Sequence, residues 1–284
     1  MRVHLLGVRG STPAPGAAFV RYGGHTSCVA IEHGGVIDLV LDAGTGLRTL
    51  GALLDGRPFE GTILLSHLHW DHLQGLPFSP AVDDPEAAVD LYLPVEEGDD
   101  PEAVLARAMS PPHFPIPPSG LQGRWRFQRL VAGELEVPGY HVVVRDVPHK
   151  GGRTVGIRVE RDGASLVYVP DHAPSAVGPG RRGDGVLHDA ITDLVEGTDL
   201  LLHDSQHTLD EFPARAHFGH TTIDYSRELA AAGNVGHLVL FHHDPNRVDG
   251  DLEQLEDDIQ GWEVPTTVAR EGMTIDVPVQ DPGA

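Results

Sequence analysis

Apolar runs of four to seven residues recur along the chain, and each runs into an ionisable side chain. Val36 to Leu41 leads into Asp42, Thr62 to Ser66 into His67, and His141 to Val147 into His149. Ser165 to Val169 leads into Asp171, Asp199 to Leu202 into His203 and Asp204, and His237 to Phe241 into His242. Runs of this length with turn residues around them predict strands. Between them, helical patterning covers residues 46–54, 100–109, 187–195 and 222–232, and Leu252, Leu255 and Ile259 mark a further amphipathic segment. Strands alternating with helices predict a layered α/β protein with internal sheets. Ligands bind such sheets outside the carboxyl ends of the strands. The Asp and His residues that follow the runs are therefore expected to meet in one crevice, although they span about 200 positions.

One stretch breaks the pattern. Residues 77–123 are rich in proline, with Ser110-Pro111-Pro112-His113-Phe114-Pro115-Ile116-Pro117-Pro118 at their centre. Proline fixes the backbone without donating a hydrogen bond, which predicts a stiff, irregular segment, either a rim or lid over the crevice or a surface linker. Composition does not divide the 284 residues into halves, so the chain reads as one domain, 1–284, carrying that segment as an insertion. Gly178 to Gly185, with Arg181 and Arg182, reads as a loop whose basic pair either touches an anionic substrate or is solvated.

His67-Leu68-His69-Trp70-Asp71-His72, directly behind the run Thr62 to Ser66, holds three imidazoles and a carboxylate in six residues. Nitrogen and oxygen donors without thiolate suit zinc, manganese or iron, and so dense a group suggests two ions rather than one. The lone Cys28 sits inside an apolar run and reads as a small core residue. Net charge is −22, with Lys150 the only lysine. A field of that sign repels polyanions, so long nucleic acid is disfavoured and a small-molecule or short substrate favoured. No apolar run approaches the roughly 18 residues of a membrane span, and the start lacks the form of a signal peptide. The expected location is the cytoplasm, with a homodimer left open.

These motifs resemble the metallo-β-lactamase superfamily of metal-dependent hydrolases. The resemblance rests on Leu41-Asp42-Ala43-Gly44-Thr45-Gly46, the 67–72 motif, Val147-Pro148-His149-Lys150-Gly151-Gly152, Tyr168-Val169-Pro170-Asp171-His172 and Leu240-Phe241-His242-His243-Asp244-Pro245. His203-Asp204-Ser205-Gln206 and Gly219-His220-Thr221-Thr222 are most similar to the ribonuclease Z and phosphodiesterase branch.

The family implies a four-layer αβ/βα sandwich and two divalent ions, zinc first, with manganese or iron as alternatives. It implies one ion held by His67, His69 and His149, a second by Asp71, His72 and His242, and Asp171 bridging both. Asp42 would orient a ligand, and His243 is the alternative to His242. His172 is expected at the rim. The implied chemistry is attack on phosphorus by a hydroxide shared between two ions, with Asp71 in the catalytic set and His220, oriented by Asp204, as proton donor. Ribonuclease Z usually carries glutamate where this chain has Asp204. The competing reading of Gly219-His220-Thr221-Thr222 is a helix cap. A phosphodiesterase acting on small or cyclic phosphodiesters or RNA ends leads. The alternatives are a carboxylic ester, lactone or thioester hydrolase and a non-catalytic binding protein of the same fold.

Overall fold

The computed structural model describes residues 1–278 and contains two seven-stranded sheets. The first is built from β1 (Arg2–Gly7), β2 (Cys28–His33), β3 (Val36–Leu41), β4 (Glu60–Leu64), β5 (Ala88–Leu93) and β6 (Arg124–Arg129). The second is built from β7 (Gly133–Val137), β8 (Tyr140–Asp146), β9 (Val155–Arg161), β10 (Ala164–Val169), β11 (Leu200–Asp204), β12 (Leu238–Phe241) and β13 (Thr266–Val268). The last strand, β14 (Thr274–Asp276), returns to the first sheet beside β1. The helices are α1 (Leu50–Leu53), α2 (Pro101–Ala106), α3 (Asp189–Val195), α4 (Phe212–Arg215), α5 (Ile223–Ala232) and α6 (Asp249–Asp258).

Side chains alternate across a strand, so an internal strand needs apolar residues on both faces. In β10, Leu166 and Tyr168 enter the core between the sheets while Val167 and Val169 enter the core under the helices. Leu39, Leu41 and Leu64 of the first sheet meet Leu166, Leu202 and Phe241 of the second in the central core. The first sheet's outer face packs on Leu47 and Leu50, and the second sheet's on Ile191 and Leu194 of α3, Leu229 of α5 and Leu252 of α6. The result is the αβ/βα sandwich. Cys28 is buried, as its surroundings in the sequence imply.

Strand direction decides where the site falls. β1 is antiparallel to β2 and β2 to β3, whereas β3 to β6 pair in parallel, so β1 and β3 to β6 point one way. In the second sheet β8 is antiparallel to β9 and β9 to β10, so β8 points with β10 to β13. The chain segments after β1, β3, β4, β8, β10, β11 and β12 supply the residues that converge, described below.

Several predicted boundaries move. The run 62–66 gives a strand ending at Leu64, because the Ser66 amide leaves the ladder and donates to Asp42 Oδ1 at 2.7 Å. Strand β11 runs on through His203 and Asp204, since both neighbours pair with it there, Val169 opposite His203 and Phe241 opposite Asp204. The predicted helix 46–54 is a 3-10 turn, Thr45–Thr49, followed by α1. Within 77–123, Ala88–Leu93 is an internal strand between β4 and β6, and the irregular backbone lies around it. Among the described residues no helix is long and apolar enough to cross a membrane.

Candidate metal centre

The loop leaving β4 carries His67 and His69 and closes with a 3-10 turn over Trp70–His72. Donor atoms of His67, His69, His149 and Asp171 all lie within 4.8 Å of one another. The same holds for Asp71, His72 and His242, and for Asp171, His220 and His242. Asp171 faces both of the first two groups. Its Oδ1 is 3.8 Å from His67 Nε2 and 3.5 Å from His149 Nε2, while its Oδ2 is 3.1 Å from His72 Nε2 and 3.2 Å from His242 Nε2.

Buried polar atoms are normally hydrogen-bonded, and exceptions need a reason. His67 Nε2, His72 Nε2, His242 Nε2 and Asp171 Oδ2 are buried without a hydrogen-bond partner, and they point into one space. At His72, His149 and His67 the other ring nitrogen is held, whereas both nitrogens of His242 are without a partner. His72 Nδ1 donates to Asp42 Oδ2 at 2.6 Å, His149 Nδ1 to the Gly219 carbonyl at 2.6 Å, and His67 Nδ1 meets Ser66 Oγ at 3.1 Å. With Nδ1 carrying the proton, the Nε2 of each of these three presents a lone pair inward, the tautomer that a metal requires. Burial, reinforced by neighbouring imidazoles, holds His67 well below the ordinary histidine value, and burial also lowers His149. Burial opposes charge on His72, but Asp71, Asp42 and Asp171 outweigh it and push its pKa well up. Such an excess of carboxylate is what bound cations would balance.

Asp42 is the anchor behind this arrangement. Besides His72 it accepts the Ser66 amide and hydroxyl and the Tyr168 hydroxyl at 2.9 Å. Its backbone is left-handed, with φ 57°, as is that of His242, with φ 61°. Such conformations in non-glycine residues cost energy and cluster at functional sites. The positive φ at His242 turns its ring into the centre, while His243, fully buried, donates Nε2 to the Ala269 carbonyl at 2.9 Å. Burial drives the His243 pKa down to about 3.

His220 and Asp204 also meet, with Nδ1 3.1 Å from Oδ2. Asp204 further accepts the backbone amides of His172 at 3.0 Å and Gln206 at 3.1 Å. Burial opposes protonation of His220, yet the Asp204 carboxylate prevails and raises its pKa to about 9. The helix-cap reading holds in parallel at the neighbouring position, since Thr222 Oγ1 accepts the Tyr225 amide at 3.0 Å at the start of α5. His172 departs from its expected place at the rim. It is fully buried, 3.1 Å from His203 Nε2 and 3.0 Å from His188 Nε2, because β10 ends at Val169 and the chain then turns this ring under the sheet's helices. Arg182, expected as a loop cation, is paired with Asp184 and Glu228.

The segment after β1 joins the site without having been expected there. Ser11, with φ 62°, donates its amide to Asp71 Oδ2 at 2.7 Å. Gly10 passes so close to the cluster that a Cβ would fall 2.4 Å from His242 Nδ1. The signal was present in Gly10-Ser11-Thr12-Pro13, a turn sequence ending a strand, but nothing local ties it to Asp71 sixty positions on. A groove of about 1140 Å³ lies elsewhere, at the amino ends of β4 and β5, and none of the cluster residues lines it.

Residues 38–243 match the family described as the beta-lactamase superfamily domain, and the chain belongs to that superfamily. Its curated relatives include the ribonuclease Z of Natronomonas pharaonis, 24% identical over 324 residues that cover 99% of each chain. Among solved structures, human tRNase Z, short form, superposes with a TM-score of 0.66 at 19% identity, over 98% of this chain and all of that one. A diphosphatase from the PhnP family gives a TM-score of 0.69 at 18% identity, over 98% of both.

Proposed function

We propose that the protein is a metal-dependent phosphodiester hydrolase that uses two divalent ions, zinc first. The observation that carries this is the convergence of four bare, buried donor atoms, His67 Nε2, His72 Nε2, His242 Nε2 and Asp171 Oδ2. His67, His69 and His149 would hold one ion, Asp71, His72 and His242 the other, and Asp171 both. Ions so held supply Lewis acidity and acidify water toward neutrality.

The chain's own residues do the rest. Asp42 keeps His72 in one tautomer, and the Ser11 amide, donating to Asp71 Oδ2, keeps that carboxylate aimed. His220, protonated at neutral pH and tied to Asp204 through Nδ1, has no partner for Nε2 among the described residues. That nitrogen delivers a proton to the leaving oxygen, which needs one as the P–O bond breaks. The same preference for an oxygen leaving group favours phosphodiesters over thioesters. The net charge of −22 favours a small or cyclic diester, or a short RNA end, over a long nucleic acid. The ribonuclease Z and PhnP-family likenesses support the phosphodiester class. The chain, 1–284, would act as one domain, of which residues 279–284 lie outside the described ones, with the irregular backbone of 77–123 as its rim.

The test is elemental analysis of the purified protein beside turnover of bis-p-nitrophenyl phosphate. About two equivalents of metal, with turnover lost on chelation and restored by zinc or manganese, is the expected result. Absence of any bound zinc, manganese or iron would overturn the reading.

A further inference from the structure

The turn after β1 places one exposed side chain that is nonetheless held. Ser11 is exposed, yet its backbone keeps φ 62°, its amide donates to Asp71 Oδ2 at 2.7 Å, and its Oγ accepts from Gln206 Nε2 at 3.1 Å. A left-handed backbone in a residue other than glycine costs energy, and such positions cluster at functional sites. A serine hydroxyl on the surface ordinarily rotates to suit whatever water offers; this one is aimed.

Its two partners belong to opposite halves of the site. Asp71 Oδ2, which the Ser11 amide holds, lies 3.2 Å from His72 Nε2 and 3.4 Å from His242 Nε2, inside the donor cluster. Gln206, which holds the hydroxyl, is buried, donates its own amide to Asp204 Oδ1 at 3.1 Å and accepts from Arg247 Nη2 at 3.1 Å on its carbonyl. Asp204 in turn holds His220. Gly10 lets the turn come in this far, since a Cβ there would fall 2.5 Å from Gln206 Nε2. Ser11 is thus tied to a carboxylate of the proposed metal site on one side and, through Gln206, to the carboxylate behind the proton donor on the other. A phosphodiester attacked at the ions and protonated by His220 has to span the same two groups.

One donor is left over. With a lone pair taken up by Gln206 Nε2, the Ser11 O–H hydrogen has no acceptor among the described residues. A hydroxyl both accepts and donates, and the non-bridging oxygens of a phosphodiester carry the charge of the transition state. A neutral donor fixed before the reaction meets that charge without reorganising. We propose that Ser11 is a substrate-binding residue whose hydroxyl donates to a non-bridging phosphoryl oxygen, and that Gln206 is the residue that positions it. The proposal rests on the phosphodiesterase reading and deepens it.

The test uses Ser11→Gly, which keeps the amide bond to Asp71, suits the left-handed backbone and removes the hydroxyl. Metal content should stay at the wild-type value; a loss of metal would make Ser11 a mere support of Asp71 and overturn the proposal. On methyl p-nitrophenyl phosphate kcat/KM should fall about tenfold or more, the scale of one hydrogen bond to a charged acceptor. The two enantiomers of methyl p-nitrophenyl phosphorothioate carry sulfur, a weak acceptor, in place of one non-bridging oxygen or the other. In Ser11→Gly the enantiomer whose oxygen meets Ser11 should lose as much as the parent, and the other almost nothing. Equal losses on both enantiomers, or no loss on the parent, overturn the proposal. Gln206→Leu should reproduce much of the loss, and the double variant should lose no more than Ser11→Gly alone, because both act through one contact. Additive losses overturn the part assigned to Gln206. A second measurement needs no turnover: calorimetric titration of the metal-loaded protein with inorganic phosphate, whose affinity should fall by a similar factor in Ser11→Gly. Equal affinity overturns the proposal. A protein that binds phosphate through Ser11 but hydrolyses no diester would sink the hydrolase and leave the contact, and one that neither binds phosphate nor hydrolyses would sink both.

Discussion

His220 is where a single residue's environment decides a chemical role. In water a histidine is mostly neutral at pH 7, but here Asp204 outweighs burial and raises its pKa to about 9, so the ring is held protonated at neutral pH, as the proposed role of proton donor requires. His220→Ala is expected to lower kcat on poor leaving groups by about 10²- to 10⁴-fold, the usual scale for general acid catalysis. It should matter much less for p-nitrophenolate, which leaves without a proton. Equal losses on both classes of substrate would assign His220 to metal binding instead, a role its grouping with Asp171 and His242 permits. Gly10 is the residue where space alone decides. A methyl group there would sit 2.4 Å from His242 Nδ1, so Gly10→Ala should displace that imidazole and lower metal occupancy, measured by elemental analysis, with the secondary structure by circular dichroism unchanged.

At the scale of elements, what matters is that strands of two sheets end at one edge. A strand buried on both faces cannot slip by one residue without exchanging its two cores, and β12 shows this: Val239 and Phe241 face the central core, Leu238 and Leu240 the helices. The register that buries those side chains also delivers His242 to the cluster. Leu240→Ala, at a fully buried position, is expected to cost about 2–5 kcal/mol, read as a lower urea midpoint. The turn behind the strands is tuned more finely. Tyr168→Phe removes the hydroxyl that Asp42 accepts at 2.9 Å; because Asp42 in turn holds the proposed ligand His72, metal affinity should drop by less than the roughly 10- to 100-fold usual for a direct partner of a ligand. Competition with a chromogenic chelator checks it.

For the whole molecule, the buried histidines make folding sensitive to acid. Burial lowers His203 to about 4 and His243 to about 3, against about 6.5 in an unfolded chain. The folded state therefore holds these rings neutral. As pH falls below about 6.5 the unfolded chain takes up protons that the folded one refuses, so stability is lost down to about pH 4 or lower, and none of this contribution is lost above 6.5. His203 alone accounts for about 3 kcal/mol on that scale. Thermal melts of chelator-treated protein should show the midpoint falling through this window. Metal-loaded protein should melt higher at pH 7.5 and lose that advantage as its ligands protonate. A flat profile between pH 7 and 4.5 would contradict the burial of these rings.

Much of this was written in local order. Two-sided apolar runs made β3, β10 and β12 legible nearly to the residue, and the dense donor motif at 67–72 announced metal chemistry because such side chains rarely crowd together for any other reason. Strands such as β6, Arg124–Arg129, and β7, Gly133–Val137, were illegible because they are exposed on one face and carry charges there. Family likeness could group His149, Asp171 and His242 with the motif, but the order of residues alone could not, since contacts across 70 to 175 positions leave no mark on neighbouring residues. By itself the sequence determined that β3, β4, β8, β10, β11 and β12 are strands, that a dense set of metal-type donors follows one of them and that the net charge is strongly negative, because those follow from the periodicity and kind of adjacent side chains. Only the tertiary structure decided which imidazole nitrogen is bare, that Ser11 and Tyr168 serve the centre, and that His172 is buried. Those depend on distances between segments that meet only when two sheets close on each other.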